Sequence, residues 1–177
     1  NNGIRHANGR YIALLDADDV WEPIFLESQL ALMQKHNATL VYGSHKRIDE
    51  NNNECLSPFI VPEHVTYTDI LKTCSISCLT GLYDSKKYGK IYLNEEFRSL
   101  RDDHIYWLEI LKKCGEAWGN KEIIASYRIL STSTTHNKLK VIIPQFKVYY
   151  KCEKLGLIKS IYYLMNWAFY GFLKYRK

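Results

Sequence analysis

Apolar and polar positions along the chain follow two periods, and the elements that they predict alternate between strand and helix. The apolar run 11–15 predicts a fully buried strand, which ends abruptly at the acidic turn 16–19. Pro23 and the spacing of the next apolar residues predict a helix over 24–36. The inner face of this helix is predicted to carry Leu26, Leu30 and Met33.

The alternation continues through the middle of the chain. The pattern predicts strands over 39–44 and 122–128, an extended segment over 77–83, and helices over 67–73 and 102–113. Strands that alternate with helices are typical of an α/β sheet flanked by helices, rather than of a helical bundle or a β sandwich.

Beyond residue 138 the pattern changes to long helical stretches, which Pro144 and Gly156 are expected to interrupt. The uncharged run 160–173 is too short to span a bilayer, which needs about 20 apolar residues. We therefore predict two parts, a sheet-containing domain over 1–138 and a helical tail over 139–177.

From Lys138 to Lys177 the chain is strongly basic and aromatic, with nine Lys and Arg residues against the single acid Glu153. This composition predicts that residues 157–177 contact the anionic surface of a membrane, and no nucleic-acid partner is expected. Two alternatives are a helix packed on the α/β core and a solvated basic tail.

Composition limits the class of protein. The chain has 177 residues, 46% of them hydrophobic, which is typical of one globular domain and excludes general disorder. Its five cysteines show neither a disulfide framework nor zinc-ligand spacing, and no secretory signal opens the chain. We expect a cytoplasmic protein, or a peripheral one at the inner face of the cell membrane.

The acidic turn carries the candidate chemistry. Asp16, Asp18 and Asp19 follow a predicted strand and repel one another unless a cation or hydrogen bonds neutralise them. Oxygen ligands favour a hard cation, Mn²⁺ or Mg²⁺, which could bridge the phosphates of a nucleotide. The alternative is a surface loop or a helix cap without a metal.

The residues around this turn resemble family 2 glycosyltransferases with the GT-A fold. The likeness covers about residues 1–138 and lies in these segments: Asn2-Gly3, Ala7-Asn8-Gly9, the run 11–19, Trp21-x-Pro23, Leu26-Glu27-x-Gln29, Asp102-Asp103 with Trp107-Leu108, and Tyr127-Arg128 followed by Ser131 and Ser133.

The resemblance implies a mixed sheet flanked by helices and the roles of several residues. Asp18 would be the main metal ligand, Asp16 would lie against the metal or the donor's ribose, and Asp19 would support them. Arg128 belongs to the segment that lies over the nucleotide-sugar donor, a UDP-sugar. Asp103 would accept the proton of the acceptor hydroxyl, in an inverting transfer to a glycan or lipid-linked acceptor. The alternative for Asp102 and Asp103 is helix capping.

Some features depart from the family pattern. Many relatives have a metal-binding His where this chain has Leu130, and His136 is the substitute that we consider. The strand, helix and strand that hold the nucleotide base do not precede Asn1, so we expect this segment alone to bind nucleotide poorly. The Gln-x-x-Arg-Trp motif of processive members is not visible, which favours transfer of single sugars. Residues 51–62 and 75–81 are candidate acceptor loops.

Two other functions compete with this interpretation. The strand followed by Asp16-x-Asp18 also fits a haloacid-dehalogenase-type phosphatase, in which Asp16 would be the nucleophile and Asp18 the acid or base. Alternatively, the basic aromatic tail would make the protein a membrane-associated interaction domain without catalysis.

Overall fold

The computed structural model describes residues 1–97, 101–130 and 138–174. Within these ranges the strands are β1 (Tyr11–Ala13), β2 (Val20–Trp21), β3 (Leu40–Ile48), β4 (Glu54–Phe59), β5 (His64–Thr66), β6 (Leu82–Asp84) and β7 (Glu116–Arg128). The helices are α1 (Asn2–His6), α2 (Phe25–His36), α3 (Tyr67–Lys72), α4 (Ser85–Tyr88), α5 (Asp102–Cys114), α6 (Lys138–Lys147) and α7 (Gly156–Lys174).

The described strands form one mixed sheet, as predicted, with the order β1-β6-β3-β7-β2. β4 pairs with β3 and β5 pairs with β7 beside this path. β3 and β7 are parallel, whereas β6 is antiparallel to both β1 and β3. β1, β3 and β7 therefore run in the same direction, and their carboxyl ends meet at one edge of the sheet. This is the edge at which open α/β sheets bind ligands.

Alternate residues of β3 divide the interior into two layers. Leu40 and Tyr42 point into a large core formed with α3, α5 and part of the tail. Val41 points to the opposite face, where it packs with Met33 of α2 and Leu82 of β6. The sheet is thus covered by helices on both faces.

Two details of the predicted packing are wrong. Of β1 only Ile12 is buried, and Leu15 beyond it is 43% exposed, because β1 is the terminal strand in the order of the described sheet. On α2 the predicted inward position of Met33 is confirmed and the half-buried Leu30 packs beside it, but Leu26 is 54% exposed, and Phe25 and Gln29 are buried instead. Helical spacing fits both sets of apolar residues, and only tertiary contacts choose between them.

The tail packs firmly on the sheet-containing part. Pro144 lies inside α6 instead of interrupting it, and Val141 and Gln145 beside it are buried. A π-helical turn, Val148–Cys152, follows, and its Tyr149 hydroxyl donates to the Leu71 carbonyl oxygen of α3 at 2.6 Å. Burial of this face offsets the hydrogen bond that the proline removes. The predicted break at Gly156 is confirmed, since α7 begins there.

α7 has two unlike faces. Ser160 is buried, and Tyr163 and Leu164 pack against the main core. Ile158, Met165 and Phe169 on the other face are 84%, 68% and 60% exposed. Among the described helices, none combines the length and the hydropathy of a bilayer-spanning segment.

His104 of α5 is fully buried and stays neutral. Burial, and to a lesser extent the nearby Arg101, lower its pKa to about 3, although hydrogen bonds with Ile70 and Gln145 act in the opposite direction. The unfolded chain therefore binds a proton at this histidine below about pH 6.5 that the folded protein does not bind. The contribution of His104 to stability falls as the pH falls below 6.5.

We expect replacement His104→Gln to remove this pH dependence. Between pH 7 and pH 5 the free energy of unfolding of the wild-type protein should fall relative to that of the variant by about 2 kcal/mol. Urea unfolding of both proteins at several pH values gives the difference between their free energies of unfolding. The contributions of the other titrating groups are the same in both proteins and cancel in this difference. A difference that is constant with pH would contradict the buried neutral histidine.

Candidate active site

The acidic turn lies at the carboxyl edge of the sheet, directly after β1. The Asp19 amide donates to the carbonyl oxygen of Asp16 at 3.1 Å, which closes the turn. Asp16 and Asp18 are exposed, whereas Asp19 is buried behind them, with 8% of its surface accessible. Burial is the main reason that the pKa of Asp19 is raised to about 6, and repulsion from Asp18 and Asp16 contributes as well.

The start of α5 brings two further acids to this turn. The pKa of Asp16 is raised, first because its carboxyl is partly desolvated and then because Asp18, Asp103 and Asp102 repel it. Asp16 is nonetheless exposed at the surface, so we give more weight to the repulsion from the other acids, which shows that they lie near it. The fold thus brings together the acids that the sequence analysis selected from distant parts of the chain.

The acids of α5 occupy its first turn, and neither is the capping residue. Arg101 holds the cap position, with a left-handed backbone (φ 92°) and no capping hydrogen bond from its side chain. The Asp103 carboxylate accepts from the amide of His104 at 2.7 Å. Asp102 and Asp103 are favourably placed near the positive end of the helix dipole, but this placement leaves the role of Asp103 as a base a prediction.

Arg128 ties the acidic turn to the neighbouring loops. Its guanidinium donates from Nε to the Asp18 carbonyl oxygen, from one terminal nitrogen to the Asp49 carbonyl oxygen, and from the other to Asn52, at distances of 2.7 to 2.8 Å. Its amide donates to the carboxylate of Asp19 at 2.8 Å. Arg128 therefore fixes the turn from the end of β7, and a direct contact with the donor stays a prediction.

A short 3₁₀ segment, Cys78–Thr80, completes the described wall of the site. The pKa of the Cys78 thiol is raised by burial and then by repulsion from nearby acids, the foremost being Asp16 and Asp103. Trp21 and Gln29, which belong to the matching motifs, donate to the carbonyl oxygens of Leu79 and Thr80, each at 2.7 Å. The predicted acceptor loop 75–81 thus lies beside the acids.

Cys78 lies within the predicted acceptor loop 75–81, but the sequence analysis did not single it out. A signal in the sequence is Gly81 at the end of this loop, since a Cβ added there would lie 2.3 Å from the ring of Trp107 in α5. Such a close approach requires glycine, and it places this segment against the helix that carries Asp103.

The site suits a hard cation chemically, although the described residues alone do not assemble a full ligand set. Among the described residues, no group of three or more His, Cys, Asp and Glu side chains is arranged to hold a metal. Asp16 and Asp18 supply carboxylate oxygens, and neither takes part in an ion pair found within the described ranges. Mg²⁺ typically uses one or two carboxylates together with substrate phosphates. A metal held by Asp16 and Asp18 stays a prediction.

Part of the predicted donor-side segment lies outside the described residues. This applies to Ser131, Ser133 and His136, so the substitution of His136 for the family's histidine stays untested. Leu130 is half-buried, two positions after β7 ends.

Comparison with known proteins identifies the family. The family described as "Glycosyl transferase family 2" matches residues 1–104, a range that includes the acidic turn and the first turn of α5. The chain belongs to glycosyltransferase family 2. The dehalogenase-type phosphatase is thereby rejected, because the strand and acidic turn that suggested it belong to the family match.

Relatives within glycosyltransferase family 2 extend the likeness into the tail. The chain is 35% identical over 179 residues to UDP-Glc:alpha-D-GlcNAc-diphosphoundecaprenol beta-1,3-glucosyltransferase WfgD of Escherichia coli, an alignment that covers 99% of this chain and 67% of WfgD. It is 30% identical over 151 residues to WfaP of the same species, which has the same enzyme name, with 84% of this chain and 57% of WfaP covered. The likeness therefore passes beyond the predicted range 1–138.

Solved structures confirm the GT-A fold of this family member. A crystal structure of S. aureus TarS 1-349 in complex with UDP-GlcNAc has a TM-score of 0.61 and 16% sequence identity, over 85% of this chain and 46% of that chain. The complex of the same protein with UDP has a TM-score of 0.58 at 16% identity and covers 85% and 44%. The chain thus spans under half of these structures and about two thirds of WfgD.

We expect Arg128→Lys to loosen the acidic turn, because lysine has one nitrogen where arginine has three. The free energy of unfolding should fall by about 1–3 kcal/mol, as measured by urea unfolding. Arg10→Lys is the matched control, since Arg10 bonds Asp84 through two nitrogens on the exposed surface and its loss should have a smaller effect. Equal effects of the two substitutions would contradict the account of Arg128.

Proposed function

We propose that this chain forms the metal- and acceptor-binding part of an inverting glycosyltransferase. The enzyme transfers a single sugar from a nucleotide-sugar, a UDP-sugar, to a hydroxyl of a glycan or lipid-linked acceptor in cell-surface polysaccharide synthesis. The names of WfgD and WfaP support this substrate class, since both state a UDP-glucose donor and a diphosphoundecaprenol-linked acceptor. The observation that carries the proposal is the convergence of Asp16 and Asp103 at the ligand-binding edge of the sheet.

The two groups of acids have different tasks in this proposal. Asp16 and Asp18 face solvent on the turn and would hold Mn²⁺ or Mg²⁺ against the donor diphosphate. When bound, the cation supplies neutralisation of the phosphate oxygens as the diphosphate leaves. Asp19 and Arg128 keep the turn in place from behind, and Arg128 also borders the donor.

Asp103 performs the proton transfer. The acceptor hydroxyl attacks the anomeric carbon, a carbon–oxygen bond forms on one face of the sugar, and the bond to the diphosphate breaks on the other. The hydroxyl proton passes to the Asp103 carboxylate in the same step. General base catalysis of this kind contributes about 10²–10⁴-fold in rate. One displacement inverts the anomeric configuration.

The two tasks predict different effects of mutation in the intact protein. Asp103→Asn should retain Mn²⁺-dependent stabilisation by UDP in a thermal shift assay and lower turnover about 10²–10⁴-fold. Asp18→Asn should lose that stabilisation. Asp102→Asn is the matched control for helix-dipole effects, because it removes an equivalent charge from the same turn, and its loss of turnover should be much smaller.

Two outcomes would contradict this assignment. Asp103→Asn and Asp102→Asn could reduce turnover equally, which would indicate a helix-end effect. Alternatively, Mn²⁺-dependent binding of UDP could be unchanged in Asp18→Asn, which would remove the metal from this turn.

We also infer that the protein is peripheral at the inner face of the cell membrane, where a lipid-linked acceptor is found. The outward face of α7 supports this, since large apolar residues line it and the exposed Lys151, Lys154 and Lys159 lie beside it. All five cysteines are free, which suits a reducing compartment. The membrane surface would hold the acceptor's lipid while its sugar reaches Asp103.

Binding to vesicles tests this partner. The intact protein should sediment with phosphatidylglycerol-containing vesicles, and the double substitution Met165→Glu with Phe169→Glu should weaken binding at least about 10-fold. Ile60→Glu is the control, because Ile60 is a comparably exposed apolar residue, 53% accessible, outside the tail. Equal binding by both variants would contradict contact through α7.

A further inference from the structure

A series of hydrogen bonds connects the tail with the start of α5. Nε of Arg101 donates to Oε1 of Gln145 at 2.6 Å, and Nε2 of Gln145 lies 3.2 Å from Nδ1 of His104. Nε2 of His104 lies 3.0 Å from the carbonyl oxygen of Ile70 in α3. Gln145 and His104 are fully buried, so water does not compete with these contacts. Three helices, α3, α5 and α6, are linked in this way.

The donors and acceptors of these hydrogen bonds can be assigned in one consistent way. A carbonyl oxygen only accepts, so His104 must carry its proton on Nε2, and Nδ1 is left to accept from the amide nitrogen of Gln145. The amide oxygen of Gln145 is then correctly placed for Arg101. Each of these three contacts thus pairs a donor with an acceptor, and such a buried network favours one arrangement of its members.

Arg101 also contacts α7, through Trp167. Its guanidinium carbon lies 5.0 Å from the ring centroid of Trp167, within the range of a cation–π contact. The backbone of Arg101 is left-handed, a conformation that is costly for a residue with a side chain. The contacts with Gln145 and Trp167 hold this backbone in place, and Asp102 and Asp103 follow it directly.

We propose that Gln145 is a positioning residue for Asp103, and that it acts together with Arg101 and Trp167. The Asp103 carboxylate accepts from the amide of His104, so Asp103 lies between two residues that Gln145 anchors. Through them, the tail determines where the carboxylate stands relative to Asp16. The proposal rests on the proposed function, because it assumes that Asp103 accepts the acceptor's proton.

Steady-state kinetics of Gln145→Leu in the intact protein tests this role. The substitution preserves burial but removes the hydrogen bonds that the amide makes with Arg101 and His104. We expect kcat to fall about 10- to 100-fold, because a small displacement of a catalytic group is costly, while KM for the donor stays within about twofold.

Tyr42→Phe is the matched control. It removes one hydrogen bond of a buried tyrosine, from the Tyr42 hydroxyl to the Pro62 carbonyl oxygen at 2.8 Å, at a position in β3 outside the series of Arg101, Gln145 and His104. It should lower the melting temperature and leave kcat unchanged. If Gln145→Leu and Tyr42→Phe have the same kcat, the positioning role is overturned and Gln145 only stabilises the fold.

The nitrogen-15 NMR signals of the His104 ring provide a readout that does not depend on activity. We expect the neutral Nε2–H form in the wild-type protein, and a shifted Nδ1 signal in Gln145→Leu. A wild-type Nδ1–H form would overturn this inference alone. Absence of sugar transfer by the wild-type protein, with the Nε2–H form present, would overturn the proposed function and this inference with it.

Discussion

Repulsion among carboxylates at one edge of the sheet is the constraint on which the rest of the structure depends. The pKa of Asp16 is raised, first by partial burial and then by repulsion from Asp18, Asp103 and Asp102, and the described ion pairs include none of these four acids. Such a cluster persists only if the backbone behind it is fixed. Arg128 supplies part of that support on the side of the turn, and the buried network around Gln145 supplies it on the side of α5.

The tail belongs to this support. Tyr149 and Val148 lie in the same core as the buried residues of α5, although the composition of the chain changes near residue 138. A boundary in composition therefore does not coincide here with a boundary in packing. The two faces of α7 have different environments. On the inner face Trp167 contacts Arg101, and on the outer face the apolar residues are exposed.

The sequence predicted the elements and the acids well, for reasons that are local. The capping box of Thr66 and Asp69, the helix that starts at Asp102 and the strand before Asp16 each depend on residues close together in the chain, and the structure confirms them. The inward position of Leu26 on α2 was predicted wrongly, because the period of a helix does not reveal where the buried face ends. The bonds of Arg128 and Gln145 join residues far apart in the chain, and no periodic pattern encodes such pairs.

The most direct test of the central claim is to locate Mn²⁺ by anomalous scattering in crystals of the intact protein grown with UDP. The account predicts one strong manganese peak within coordination distance of the Asp18 carboxylate, with Asp16 beside it and the diphosphate completing the ligands. A diphosphate bound at this edge with its manganese coordinated by neither aspartate would contradict it.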